Sequence, residues 1–136
     1  MGPRVHICID SSDPEALAPF WAEALGYKVG DSLPGGSYLL LEAPDATSPA
    51  VYFQRVPEAK TIKNRLHLDL RSAQPHALIE RLESLGATRL ADPQTGSTCA
   101  WWQVMADPEG NEFCVMPAID SGLFATGPAG RPDTGQ

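Results

Sequence analysis

Apolar and polar residues alternate with period two along residues 5–10 (VHICID), which predicts a strand with one face turned to a core. The period then changes to that of a helix. Leu17, Phe20, Trp21, Ala24 and Leu25 fall on one stripe of an amphipathic helix. Asp13 followed by Pro14 opens it, the first as N-cap and the second at the first helical position, and Gly26 closes it. Pro19 predicts a kink or a late helix start, because an interior proline removes a backbone hydrogen bond at a cost of about 3 kcal/mol. Three further strands are predicted at 27–33, 37–42 and 50–56, punctuated by Pro34-Gly35-Gly36 and by the stretch between Pro44 and Pro49.

The same order then starts again. Residues 66–71 (LHLDLR) alternate as a strand, with Leu66, Leu68 and Leu70 on the helix side. Pro75 opens a helix carrying Leu78, Ile79, Leu82 and Leu85, which Gly86 closes. Strands are expected at 88–91, 99–106 and 111–116, the last two joined by the turn Asp107-Pro108-Glu109-Gly110-Asn111. With an offset of 61, His6 falls on His67, Pro14 on Pro75, Ala16 on Ala77 and Leu17 on Leu78. With an offset of 60, Leu25-Gly26 falls on Leu85-Gly86, Phe53 on Phe113 and Gln54 on Cys114. Matches in one order at helix starts and ends predict a duplicated βαβββ unit.

Composition narrows the function classes. The chain has 136 residues, 43% hydrophobic and 20% charged, which suits one compact domain. No apolar run approaches the roughly 20 residues that cross a bilayer. A net charge of −7 argues against a nucleic-acid partner and permits, without requiring, a cationic or neutral small ligand. Three cysteines, Cys8, Cys99 and Cys114, make no disulfide framework, and with no secretory leader visible they point to a reducing cytoplasm. Residues 119–136 are rich in Gly, Pro and Ala and are expected to form a flexible C-terminal tail.

The segments FWAEALGY (20–27), NRLHLDL (64–70), LIERLESLGA (78–87) and DPEGNEFCVM (107–116) resemble the vicinal oxygen chelate superfamily, in its glyoxalase-like branch. That group holds glyoxalases, bleomycin-resistance proteins and extradiol dioxygenases. The resemblance covers roughly residues 4–117. It implies an α+β fold: two βαβββ modules (4–57 and 65–118) in one domain, 1–118, forming a curved eight-stranded mixed sheet around a cleft, helices outside. It also implies a homodimer.

In metal-using members, first and last strands of each module supply ligands. Matched residue by residue, those positions here are His6, Gln54, His67 and Cys114, a set suited to a divalent metal such as Zn, Ni, Fe or Mn. The last of them is usually Glu, so the carboxylate that moves a proton in glyoxalase chemistry is missing, as is the third ligand of a dioxygenase. Glu112, two residues away on the same strand face, is the remaining catalytic candidate. Asp10 and Asp69 share the cleft side of their strands and are placed to orient the histidines. Trp101 and Trp102 point to opposite faces, and Trp101 is taken as the aromatic wall of the cleft. The expected ligand-binding cleft is therefore His6, Gln54, His67, Asp69, Trp101 and Cys114. The expected function is binding of a small organic molecule, an antibiotic or metabolite. The alternative is a metal-dependent lyase, isomerase or dioxygenase with a degenerate ligand set.

Overall fold

The computed structural model describes residues 2–96 and 101–118. The strand expected at 99–106 begins in the undescribed stretch, which holds Cys99; residues 119–136 also lie outside the described ones. The chain parts into two compact units, the first ending at Ile62 and the second starting at Lys63.

The first unit runs β1 (His6–Ser11), α1 (Pro14–Leu25), β2 (Lys28–Ser32), β3 (Tyr38–Glu42) and β4 (Ala50–Arg55). Its sheet has the order β1-β4-β3-β2, with β1 parallel to β4 and the other pairs antiparallel. The second runs β5 (Asp69–Ser72), α2 (Pro75–Ser84), β6 (Thr88–Arg89), β7 (Gln103–Ala106) and β8 (Glu112–Pro117). Its sheet has the order β5-β8-β7-β6, with β5 parallel to β8. The fold is α+β, two four-stranded mixed sheets each carrying one helix.

The duplication is visible atom by atom. In each unit a serine at the end of the first strand accepts from the backbone N–H two residues on, Ser11 from Asp13 and Ser72 from Gln74, both at 3.0 Å. Each helix ends in the same two-bond cap: Tyr27 N–H donates to Ala22 C=O and Gly26 N–H to Glu23 C=O, matched by Ala87 to Leu82 and Gly86 to Glu83. Gly26 and Gly86 have φ of 72° and 108°, where a side chain would be strained. Helix starts repeat at 61 and the capping bonds at 60, and α2, with 10 residues, is shorter than α1, with 12.

The last strands repeat at neither offset. Cys8 pairs with Tyr52 and its counterpart Asp69 pairs with Cys114, so the structural mate of Cys114 is Tyr52 and that of Gln54 is Met116. The offset of 60 from sequence misplaces this strand by two residues. A two-residue slip keeps every side chain on its face, because the strand period is two, and so leaves no trace in the hydrophobic pattern.

α1 packs on β2, β3 and β4, burying Leu17, Phe20 and Trp21 on a sheet face that carries Leu39, Leu41, Val51 and Phe53. Each such side chain contributes roughly 1.5–3 kcal/mol on leaving water. α1 runs unbroken through Pro19, which lies on its exposed side, where water can serve the carbonyl that lost its partner. α2 packs on β5 and β8 through Ile79 and Leu82. The expectation for residues 66–71 needs correction. β5 begins at Asp69, and Leu66 is 91% exposed rather than under the helix. The cause lies upstream: Asn64 is tied to Glu112 by its backbone N–H to the carboxylate and its side-chain amide to the carbonyl. The chain between bends instead of pairing, and only Leu68 C=O, accepting from Cys114 N–H at 2.9 Å, starts the ladder. Val5 is likewise exposed, one residue ahead of β1.

Candidate functional site

The sheet faces turned away from the helices carry the chemistry. In the first unit, alternation puts His6, Cys8 and Asp10 of β1 on that face, beside Tyr52 and Gln54 of β4 and Tyr38 of β3. His6, Cys8 and Asp10 are exposed, whereas Tyr38, Tyr52 and Gln54 are half-buried. The tyrosine rings meet edge-on, with centroids 5.9 Å apart. The Cys8 thiol lies 4.0 Å from Gln54 Oε1. Partial burial, helped by Asp10, raises the Cys8 pKa, and a hydrogen bond with Tyr52 opposes it.

In the second unit the corresponding face is more apolar. Cys114 and Met116 of β8 are buried there, with Trp102 and Val104 packed against them. Gly96 lies close on the Trp102 ring, where a Cβ would come within 2.9 Å of ring carbon. Trp101 sits differently: its ring stacks on His76 of α2, with centroids 4.6 Å apart and planes 16° off parallel. The tryptophan that shares the Cys114 face is therefore Trp102, and Trp101, named from sequence, belongs with the helix. Parity alone could not choose between them, because the residues that fix the register lie across the sheet, at Val104 opposite Cys114.

Along the polar margin of this face His67 Nε2 lies 3.1 Å from Asp69 Oδ1, and both side chains are about half exposed. Asp69 is the register partner of Cys114 across the parallel pair β5–β8. One donor atom from each of His67, Asp69 and Cys114 falls within 4.8 Å of the others. Burial, with Asp69 adding to it, pushes the Cys114 thiol up to about 11, against an opposing pull from Lys63. The residue at this position is thus a protonated thiol at neutral pH. Glu112 gives one carboxylate oxygen to the Asn64 N–H at 3.0 Å, which makes it a clamp on the segment before β5.

A nitrogen, an oxygen and a sulfur donor at this spacing fit a divalent metal. Bonds of about 2.0–2.3 Å in a tetrahedral zinc site set donor separations of roughly 3.3 Å between N and O and roughly 3.5 Å between N and S. The His67–Asp69 separation of 3.1 Å is already near that value. Asp69, which sequence placed as a support for the imidazole, also brings a carboxylate oxygen within 4.8 Å of the other two donor atoms. The His-x-Asp spacing is legible in the sequence, whereas its place beside Cys114 comes from the pairing of β5 with β8.

The turn that aims β8 is built from its own motif. Asp107, buried, accepts at Oδ1 from Glu109 N–H and Asn111 N–H, both at 2.9 Å, and at Oδ2 from the Asn111 amide. Gly110 supplies a φ of 91°. This DPEGN turn fixes where Cys114 emerges, four residues after Gly110.

Two repeated βαβββ units with polar strand-borne groups on the faces away from the helices define the fold class of the vicinal oxygen chelate proteins. A family described as "Glyoxalase-like domain" matches residues 6–116, and the chain belongs to that family. Among solved structures, a glyoxalase/bleomycin resistance protein/dioxygenase family enzyme from Burkholderia phytofirmans PsJN is 20% identical, with 84% of this chain and 97% of that one covered and a TM-score of 0.65. A glyoxylase/bleomycin resistance protein/dioxygenase domain from Frankia sp. EAN1pec is 16% identical, with coverage of 90% and 96% and a TM-score of 0.66. The oxidase ChaP-H2 is 18% identical, with coverage of 90% and 98% and a TM-score of 0.64. At these identities the likeness is one of fold. No curated protein matches the chain significantly.

Proposed function

We propose that this glyoxalase-like protein binds a small organic molecule, of the antibiotic or metabolite class, against the sheet faces opposite its helices. The observation that carries the reading is Cys114. At the last-strand position where metal enzymes of this kind hold a carboxylate, this chain has a buried thiol whose pKa is near 11. A neutral thiol at pH 7 neither takes a proton from a substrate nor charges the site, so the position favours binding over proton transfer. Its neighbours Trp102, Val104 and Met116 offer apolar and aromatic contact, Tyr38 and Tyr52 offer rings with hydrogen-bonding tips, and Gln54 offers an amide. Within the same reading the protein is a cytoplasmic homodimer.

Tryptophan fluorescence against a panel of small molecules tests this. A true ligand quenches or shifts the emission, Trp102→Phe removes most of the response, and Trp21→Phe, in the α1 core, keeps it. Absence of any response across the panel, together with metal-dependent turnover, would overturn the binding reading.

The second reading is a metal-dependent lyase, isomerase or dioxygenase, and the His67–Asp69–Cys114 group favours it. There Asp69 would take the place of the missing glutamate as the carboxylate beside the metal. Turnover of a candidate substrate that disappears with Asp69→Asn would support it; turnover unchanged by chelation would remove it.

A further inference from the structure

We propose that the first unit by itself selects small organic molecules that carry an ammonium group, held over the rings of Tyr38 and Tyr52 with Asp10 as counter-charge. The inference rests on the binding reading above and narrows it to one class of ligand. It gives a recognition role to two tyrosines that no sequence motif marks.

The geometry of one sheet face carries it. Asp10 of β1 is the register partner of Gln54 of β4, and Gln54 that of Tyr38 of β3. Two residues along the strands, Cys8 meets Tyr52 and Tyr52 meets Leu40. The intervening residues Leu39, Leu41, Val51 and Phe53 are buried under α1, so alternation turns this patch away from the helix. The tyrosine rings meet edge-on, with centroids 5.9 Å apart and planes at 61°. In such a pair the ring that gives its edge keeps its own faces uncovered. Both side chains are half-buried, which holds the rings in place and leaves part of them open to a ligand.

The charges on this face set the sign of that ligand. Asp10 is exposed and forms no ion pair among the described residues. The cations nearby are already matched: Lys28 of β2 lies opposite Glu42 of β3, and Arg55 of β4 pairs with Glu15 of α1. His6 stands four residues before Asp10 on β1, roughly 13 Å away at ~3.3 Å per residue. Ring faces attract a cation through their quadrupole, and the carboxylate adds to that attraction while repelling an anion. A neutral group of the same shape gains packing alone. Gln54 Oε1, 4.0 Å from the Cys8 thiol, offers an acceptor to the N–H of a protonated amine. A quaternary ammonium needs the rings and Asp10 only.

The test uses the full chain with isotope-labelled tyrosine rings, followed by NMR. The probes are choline, its neutral isostere with a tert-butyl group in place of trimethylammonium, and tert-butylacetate. They share one shape and differ in charge, and each is titrated into the millimolar range. Tyr27, whose hydroxyl donates to Pro49 C=O at 2.7 Å, is the internal control among the three tyrosines. Choline should shift the Tyr38 and Tyr52 signals, spare Tyr27, and bind about fivefold or more tightly than the neutral isostere, with tert-butylacetate weaker still. Tyr52→Phe keeps the ring and should hold choline affinity within about twofold, whereas Tyr52→Leu should lower it about fivefold or more. Asp10→Asn should weaken choline about twofold or more and leave the neutral isostere unchanged. Circular dichroism checks each variant, and Asp10→Asn, at an exposed position, carries the test if Tyr52→Leu lowers the folded fraction. Equal binding of choline and its isostere would overturn the ammonium preference and leave the binding reading standing. A folded Tyr52→Leu protein that binds choline like the parent would overturn the role of the rings. If none of the three probes shifts Tyr38 or Tyr52 while the fluorescence panel yields a ligand, this proposal alone falls; if the panel is empty too, both fall.

Discussion

Cys8 and Cys114 are both free thiols, yet their surroundings set them apart. Cys8 is exposed on β1, whereas Cys114 lies between β5 and β7 with its thiol held near 11. The thiolate is the nucleophile, so burial suppresses reaction twice, by access and by ionisation. In a Cys99→Ser background, alkylation followed by mass spectrometry at pH 7.5 should mark Cys8 and spare Cys114 until the protein is unfolded. Equal labelling of the two would contradict the burial of Cys114. The pH dependence has a definite sign. An acid whose pKa is raised from 9.0 to about 11 by folding keeps its proton longer in the native state. Its contribution to stability is therefore whole below pH 9 and is lost as pH climbs toward 11.

The helices show what duplication kept and what it let drift. Asp13 caps α1, its carboxylate accepting from Ala16 N–H, and it has φ −145° and ψ 78°. Its counterpart Gln74 has almost the same backbone, φ −133° and ψ 69°, but makes no side-chain cap. The geometry for capping is present and only the shorter side chain is missing. Gln74→Asp is thus expected to stabilise the protein by about 0.5–1 kcal/mol in chemical denaturation. No change, or a loss, would mean that Gln74 holds something an aspartate cannot. At this scale the sequence was legible. Proline at each helix start, glycine after each helix end and the DPEGN turn are local signals, and each sits where the local signal puts it. The misreadings came from contacts distant in sequence. The start of β5 was obscured by the Asn64–Glu112 clamp, which spans 48 residues.

For the whole molecule, the net charge of −7 acts on whatever approaches the sheet faces. Asp10 and Asp69 are exposed on these faces, so the field of their carboxylates reaches solvent and is screened by salt. Between a cationic and an anionic ligand of the same aromatic frame, the cationic one should bind more tightly, and its advantage should shrink as sodium chloride rises from about 20 to 500 mM. Binding that is equal for both charges, or stronger for the anion, would assign recognition to local groups over the overall field.

Sequence by itself determined the two βαβββ repeats, the helix starts and caps, and the parity that places Asp69 and Cys114 on one kind of face. Those features rest on periodicity and on turn chemistry, which act over a few residues. Tertiary structure alone decided which tryptophan accompanies Cys114, how the last strands register, and that Asp69 lies beside Cys114 across the β5–β8 pair. Strand pairing is a long-range choice, and a slip of two residues leaves the hydrophobic pattern untouched while moving every partner along the strand.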